Sequence, residues 1–257
     1  MAVRCDMRAL AVILVLIGAE PSLAAEVVIH DGASLTLGNT RYRLHGIDAP
    51  ELDQVCLDEN GRVWPCGVQA RERLKEAIGG RQVHCDDKGP DPGLPHRRRI
   101  GECRVLGVET TLHQWLVRQG WALNFEPYAK DLFKADEEQA RVSLSGLWRG
   151  CFSTPQDFRL GNKGTANFLG ASCAVLDDRK KRGLLFPAHP AMAPGCTIKG
   201  KFVLRAKITG HRGIYHMEGC RSYQRTKSPD RWFCSEADAQ AAGFRRALCT
   251  RIAKTAN

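Results

Sequence analysis

The segment Arg43-Leu44-His45-Gly46-Ile47-Asp48-Ala49-Pro50-Glu51 puts an arginine on a strand-like run and two carboxylates just beyond it. Phosphodiester hydrolysis needs such a set. One carboxylate can hold a divalent cation against the phosphate, and another can take a proton from the attacking water. A guanidinium can then brace the charge that grows on the phosphoryl oxygens. The spacing Asp48-x-x-Glu51 equally fits a helix capping box with Pro50 in the first turn, which is a purely structural role. A second candidate is Arg97-Arg98-Arg99, in a Pro- and Gly-rich loop from Lys88 to Arg99. Three adjacent guanidiniums stay solvated in such a loop unless an anion gathers them, and one of them could then grip a phosphate with two bonds.

The elements that must position these side chains follow from the pattern. Val27 to Ile29, Leu35 to Leu37 and Tyr42 to His45 read as three short strands, separated by the turn signals Asp31-Gly32 and Gly38-Asn39. Ala70, Leu74, Ala77 and Ile78 recur at helical spacing and stop at Gly79-Gly80. Arg81 to Cys85 and Ile100 to Leu106 predict two more strands. Leu112, Trp115 and Leu116 mark a second helix closed by Gly120. Phe133, Ala140, Leu144 and Leu147 mark a third, closed near Gly150. The order is α+β with a small, curved sheet, which is expected to close into a barrel.

Charge divides the chain. Residues 1–158 carry 19 basic and 22 acidic side chains, and residues 159–257 carry 19 basic and 6 acidic, so +13 in the second part outweighs −3 in the first. The excess includes the run Arg179-Lys180-Lys181-Arg182 and points to a polyanion as partner, or else to a solvated basic face. Residues 159–195 show little periodicity and predict a basic linker. Residues 196–257 predict a small Cys-rich α+β module, with a strand over Lys201 to Thr209 and a helix from about Ser235 to Cys249. Its Tyr215, Tyr223 and Arg231-Trp232-Phe233-Cys234 could stack bases or sugars, or simply form a core. His211 and His216 could join cysteines on zinc.

The N-terminus predicts a secretory signal over residues 1–24: Arg4 and Arg8, the apolar run Ala9 to Ala19, then Ser22-Leu23-Ala24-Ala25. That run is too short for a membrane span. Beyond it lie ten cysteines, an even number with no CxxC pair, which predicts disulfides in a secreted or periplasmic protein. Cys56–Cys66 and Cys85–Cys103 are the expected pairs.

The runs Val28 to Leu37 and Tyr42 to Glu51, together with Trp115 to Ala122 and Ser145 to Trp148, resemble the staphylococcal nuclease-like (thermonuclease) family over about half the chain, roughly residues 26–158, within an expected domain of residues 25–158. The resemblance implies a five-stranded OB-type barrel with three helices. It also implies metal-dependent hydrolysis of DNA or RNA. Arg43 and Arg98 would be catalytic arginines, with Arg97 and Arg99 as alternatives. Glu51 would be the general base. Asp48 would be a Ca2+ ligand, helped by Asp31. One position departs from the family: the turn Asp31-Gly32-Ala33-Ser34 has alanine where a second metal-ligating aspartate is expected, which weakens a site for an ion that wants roughly 6–8 oxygens. The alternative implied is a non-catalytic polyanion-binding protein, such as one serving acidic exopolysaccharide (succinoglycan) biosynthesis.

Overall fold

The computed structural model describes residues 26–94 and 97–250. The predicted signal lies outside the described residues. Strands β1 (Val27–Asp31), β2 (Ser34–Leu37) and β3 (Thr40–Leu44) form an antiparallel meander. Helix α1 (Cys66–Ile78) then leads to β4 (Val83–Pro90) and β5 (Arg99–Val105). The sheet order is β1-β2-β3-β5-β4, with β3 and β5 parallel and β4 antiparallel to β5. This is the expected five-stranded sheet in an α+β domain. Its core joins Leu35 and Leu44 of the sheet to Leu74 and Ile78 of α1 and to Leu116 and Val117 of α2 (Leu112–Arg118). Each fully buried leucine of this kind contributes about 1.5–3 kcal/mol.

Local chemistry explains the boundaries. Helix α1 buries Ala70, Leu74 and Ile78 and stops where Gly79 takes φ +57, the left-handed conformation glycine adopts without cost. Helix α2 begins where the Thr111 hydroxyl accepts the Gln114 N–H at 3.2 Å. The third helix is shorter than its periodicity predicts. Helix α3 (Lys134–Val142) ends before Leu144, which takes φ +52, and Leu147 lies instead on a 3-10 turn at Gly146–Arg149.

All ten cysteines among the described residues are paired. Cys56–Cys66 and Cys85–Cys103 form as expected, and Cys151–Cys173, Cys196–Cys234 and Cys220–Cys249 complete the set. The last two pairs leave no module thiolate to join His211 and His216 on zinc.

Segment 159–195 carries more regular structure than its weak periodicity suggested. Helix α4 (Pro155–Leu160) runs into it, and α5 (Asp178–Leu185) lies within it. Leu185 and Cys173 pack with Leu57 and Cys151 in a core of their own. In the basic run, Lys181 turns inward and its ammonium donates to the Cys173 carbonyl at 3.0 Å, so it does not join an outward basic face.

The C-terminal module is a four-stranded sheet in the order β8-β6-β7-β9. It comprises β6 (Ile198–Phe202), β7 (Gly213–His216), β8 (Arg231–Phe233) and β9 (Phe244–Arg246), with helix α6 (Glu236–Ala241) against it. The predicted strand over Lys201 to Thr209 is shifted: it ends at Phe202 and a helical turn, Leu204–Lys207, follows. The predicted helix to Cys249 stops at Ala241, because Gly243 takes φ +80 and Phe244 is buried in a parallel strand. Among the described residues no helix is long and apolar enough to cross a membrane.

Candidate functional site

Asp48 ends a two-residue strand, Ile47–Asp48, that pairs with Leu123–Asn124. No helix begins there, so the capping-box reading of Asp48-x-x-Glu51 fails. The chain turns instead, and the turn is fixed from several sides. The Gln54 amide N–H donates to the Glu51 carbonyl at 2.8 Å, while the Gln54 side chain accepts the Glu51 N–H at 3.2 Å and donates to the Ser153 carbonyl at 2.9 Å. Helix α1 begins so close to this turn that a Cβ on Gly67 would fall 1.7 Å from the Glu51 carbonyl oxygen. Only glycine fits there.

The expected residues meet. Asp31, Arg43, Asp48, Glu51 and Arg98 all line one cavity of about 70 Å3. Of the loop arginines only Arg98 reaches it, while Arg97 and Arg99 are exposed. Arg43, at the end of β3, lies 3.6 Å from Asp48 and 5.6 Å from the centre of the Phe125 ring. Arg98 is buried and held by Asp91 at 2.5 Å. Asp31 accepts the Ala33 N–H at 2.7 Å and the Ser34 hydroxyl at 2.6 Å, so it stitches its own turn. Burial, and then the nearby Asp238 carboxylate, push the Asp31 carboxyl above the usual range.

Two further guanidiniums enter the cavity, and sequence reasoning did not find them. Arg159, on α4, donates to both oxygens of Asp48 at 3.0 and 2.8 Å and to Glu51 at 2.5 Å. Arg231, on β8, is only 2% exposed; it grips both oxygens of Asp53 at 2.8 Å and reaches the other Glu51 oxygen at 3.3 Å. Its guanidinium lies over the rings of Phe158 at 4.6 Å and Phe233 at 5.1 Å. A second tie holds the module to β3: Arg41 pairs with Asp238 at 2.5 Å.

This arrangement sets the electrostatics. Burial alone would raise the Glu51 pKa, but Arg159, Arg231 and Arg43 outweigh it and hold the carboxyl below its ordinary value. Burial likewise opposes the charge on Arg159, yet Asp48 and Glu51 raise its pKa. A basic group is thus locked in its charged form beside a carboxylate whose basicity is reduced.

The donor set does not fit a divalent cation. Both oxygens of Asp48 and both of Glu51 face guanidiniums, Asp31 is engaged by its own turn, and Ala33 offers no side-chain oxygen. Among the described residues no three His, Cys, Asp or Glu side chains are grouped to hold a metal ion. An incoming cation would have to displace Arg159 against the full attraction of two carboxylates.

Residues 41–150 match the family described as staphylococcal nuclease homologue. The chain is also 32% identical over 133 residues to the succinoglycan biosynthesis protein ExoI of Rhizobium meliloti (strain 1021). That match takes in 51% of this chain and 66% of the relative, just under two thirds of its length. Arg159 and Arg231 both lie beyond the matched domain.

Proposed function

We propose that this protein is a polyanion-binding member of the staphylococcal nuclease homologues that acts outside the cytoplasm, in acidic exopolysaccharide synthesis rather than in nucleic-acid hydrolysis. The observation that carries this is Arg159 bonded to Asp48 and Glu51 together, which sets an internal cation where hydrolysis needs a metal ion and a free base. Five disulfides support an oxidising compartment. The name of the relative, a succinoglycan biosynthesis protein, supports the class of polymer. The +13 of residues 159–257 supplies the long-range attraction. Residues 25–158 would form the nuclease-like unit and 196–257 the module that closes its pocket, joined by 159–195.

A second reading is favoured by the shared cavity of Arg43, Asp48, Glu51 and Arg98: a secreted endonuclease, with Glu51 taking the proton of the attacking water and the two arginines holding the scissile phosphate. Asp48, with Asp31, would be free for Ca2+ only once Arg159 has left. Calorimetric titration with Ca2+ and cleavage of single-stranded DNA separate the two. The natural chain is expected to bind no Ca2+ and to cut nothing, whereas Ala33→Asp with Arg159→Ala gains Ca2+ binding. Stoichiometric Ca2+ binding by the natural chain, with cleavage abolished by chelator and by Glu51→Gln, establishes the nuclease instead. Retention of polyanion should weaken steeply with added salt, because released counterions drive such binding.

A further inference from the structure

A second concavity shares no lining residue with the acidic pocket. It is a groove of about 620 Å3 between α1, α2 and the 3-10 turn at Gly146–Arg149, adjoined by a further hollow of about 390 Å3. Arg73, Trp121, Gly146 and Arg149 line both parts. These volumes fall within the roughly 300–1,000 Å3 usual for small-molecule sites.

Three tryptophans contribute to its lining. Trp115 comes from α2, and Trp121 follows the turn at Gly120. Trp64 comes from a two-residue ladder, Val63–Trp64, whose partner strand contains Cys56. All three indoles are partly exposed. Trp64 and Trp121 meet edge to face with centroids 6.2 Å apart, and the Arg73 guanidinium lies 5.3 Å from the Trp121 ring centre.

Its charge is balanced. Arg73 pairs with Glu76 at 2.7 Å, and Arg149 lies 3.8 Å from Glu59. Arg81 is spent on the end of α1, donating to the Ala77 and Ile78 carbonyls. A nucleic acid carries a charge at every residue and binds by neutralising phosphates with uncompensated cations. This groove offers no such row. It offers partly exposed indoles beside exposed guanidinium and carboxylate groups. A pyranose ring presents the matching surface, with an apolar C–H face to lie on an indole and ring-edge hydroxyls that donate to carboxylates and accept from guanidiniums.

We propose that this groove binds a segment of an oligosaccharide chain, neutral or sparsely charged, stacked on Trp115 and Trp121 with Arg73 and Arg149 at the rim. The idea extends the exopolysaccharide reading to a specific surface, and it stands even if the acidic pocket binds nothing.

The test is equilibrium binding of the full chain to neutral cello-oligosaccharides and to a thymidine oligonucleotide, each at low and high salt. Tryptophan fluorescence is the readout. Sugar binding is expected to persist at high salt and to weaken about tenfold in Trp115→Ala, the loss of one aromatic stack. Because Trp115 also packs against the core, Arg149→Ala at a solvent-exposed side chain is the second variant, with several-fold weakening expected and an unchanged melting temperature. Sugar binding that neither variant changes, or that fades with salt as steeply as the oligonucleotide's, overturns the proposal. So does displacement of the bound sugar by the oligonucleotide. Variants at Arg159 and Arg231 should leave sugar affinity unchanged, which keeps this test separate from that of the pocket.

Discussion

The acidic pocket and the tryptophan groove use opposite materials. In the pocket, carboxylates and guanidiniums are largely buried and pair with one another, and the cavity left is about 70 Å3. In the groove, two indoles stand among aliphatic and polar side chains, the charged groups stand in solvent, and the space is about 620 Å3. A buried charge depends on its partner, because removing one member strands the other in a poorly polarisable interior. A solvated charge depends on little. The charged groups of the pocket are therefore tied to folding, and those of the groove are not.

Arg231→Ala should break that contrast open most forcefully. The variant would leave Asp53, Glu51 and the Trp232 strand without their central cation, and a buried pair cut in this way loses about 3–5 kcal/mol. Denaturant unfolding measures it. Arg231→Lys should not restore the loss, since an ammonium cannot grip Asp53 through two parallel bonds. A loss below about 1 kcal/mol would mean that the pocket is solvated and the contrast false.

The same contrast explains what could be foreseen. The Arg43-to-Glu51 segment was legible because its residues are close in sequence and their types suit one reaction. Helix α1 and the pair Cys85–Cys103 were legible because apolar spacing and strand pairing are local signals. Among the three loop arginines, Arg98 was marked out by the family resemblance and not by its own neighbourhood. Arg159 and Arg231 were not legible: they reach Glu51 across 108 and 180 residues, and nothing in their neighbourhood marks a buried arginine. Arg231-Trp232-Phe233-Cys234 stood out as aromatic and basic, yet its partners Asp53 and Phe158 lie on other elements. The third helix was overextended because apolar periodicity continues through Leu144, where the backbone reverses. The last helix was overextended because an Ala-rich run resembles helix until Phe244 is needed by the sheet.

Acid should next weaken the groove through the helix that carries Trp115. His113, on α2, is 1% exposed beside the Phe133 ring, and burial lowers its pKa from 6.5 to about 4. The folded chain therefore resists protonation while the unfolded chain accepts it below pH 6.5. Stability from this group is whole above pH 6.5 and declines until pH 4, by about 3 kcal/mol in all. The guanidinium-held Glu51 has a lowered pKa, so its contribution fades only further down the scale. Melting temperatures from pH 7 to pH 4 should fall in the natural chain and fall less in His113→Leu. Equal slopes would show that another group carries the acid sensitivity.

Cys56–Cys66 touches both regions. Cys56 pairs with Trp64 of the groove, and the Cys66 sulfur lies 3.6 Å from the Gln54 carbonyl behind Glu51. Replacing both cysteines by serine releases a loop closed over 10 residues and should lower stability by about 2–3 kcal/mol. It should also weaken sugar and polyanion binding together, as no other substitution here is expected to do. Loss of one binding activity alone would place the staple in a single region.

The smallest effect decides most about the groove. Arg149 is 64% exposed, and Glu59, its nearest carboxylate, is 3.8 Å away and 57% exposed. Exposed pairs of this kind contribute no more than about 1 kcal/mol, and surface substitutions usually stay within about 0.5 kcal/mol. Arg149→Ala should therefore leave the unfolding midpoint in place while sugar affinity falls several-fold. The two readouts separate only if the side chain meets ligand in the bound state and little in the free one. Were stability and affinity to drop in proportion, Arg149 would be holding the 3-10 turn at Gly146–Arg149, and the charged groups of the groove would be tied to folding as those of the pocket are.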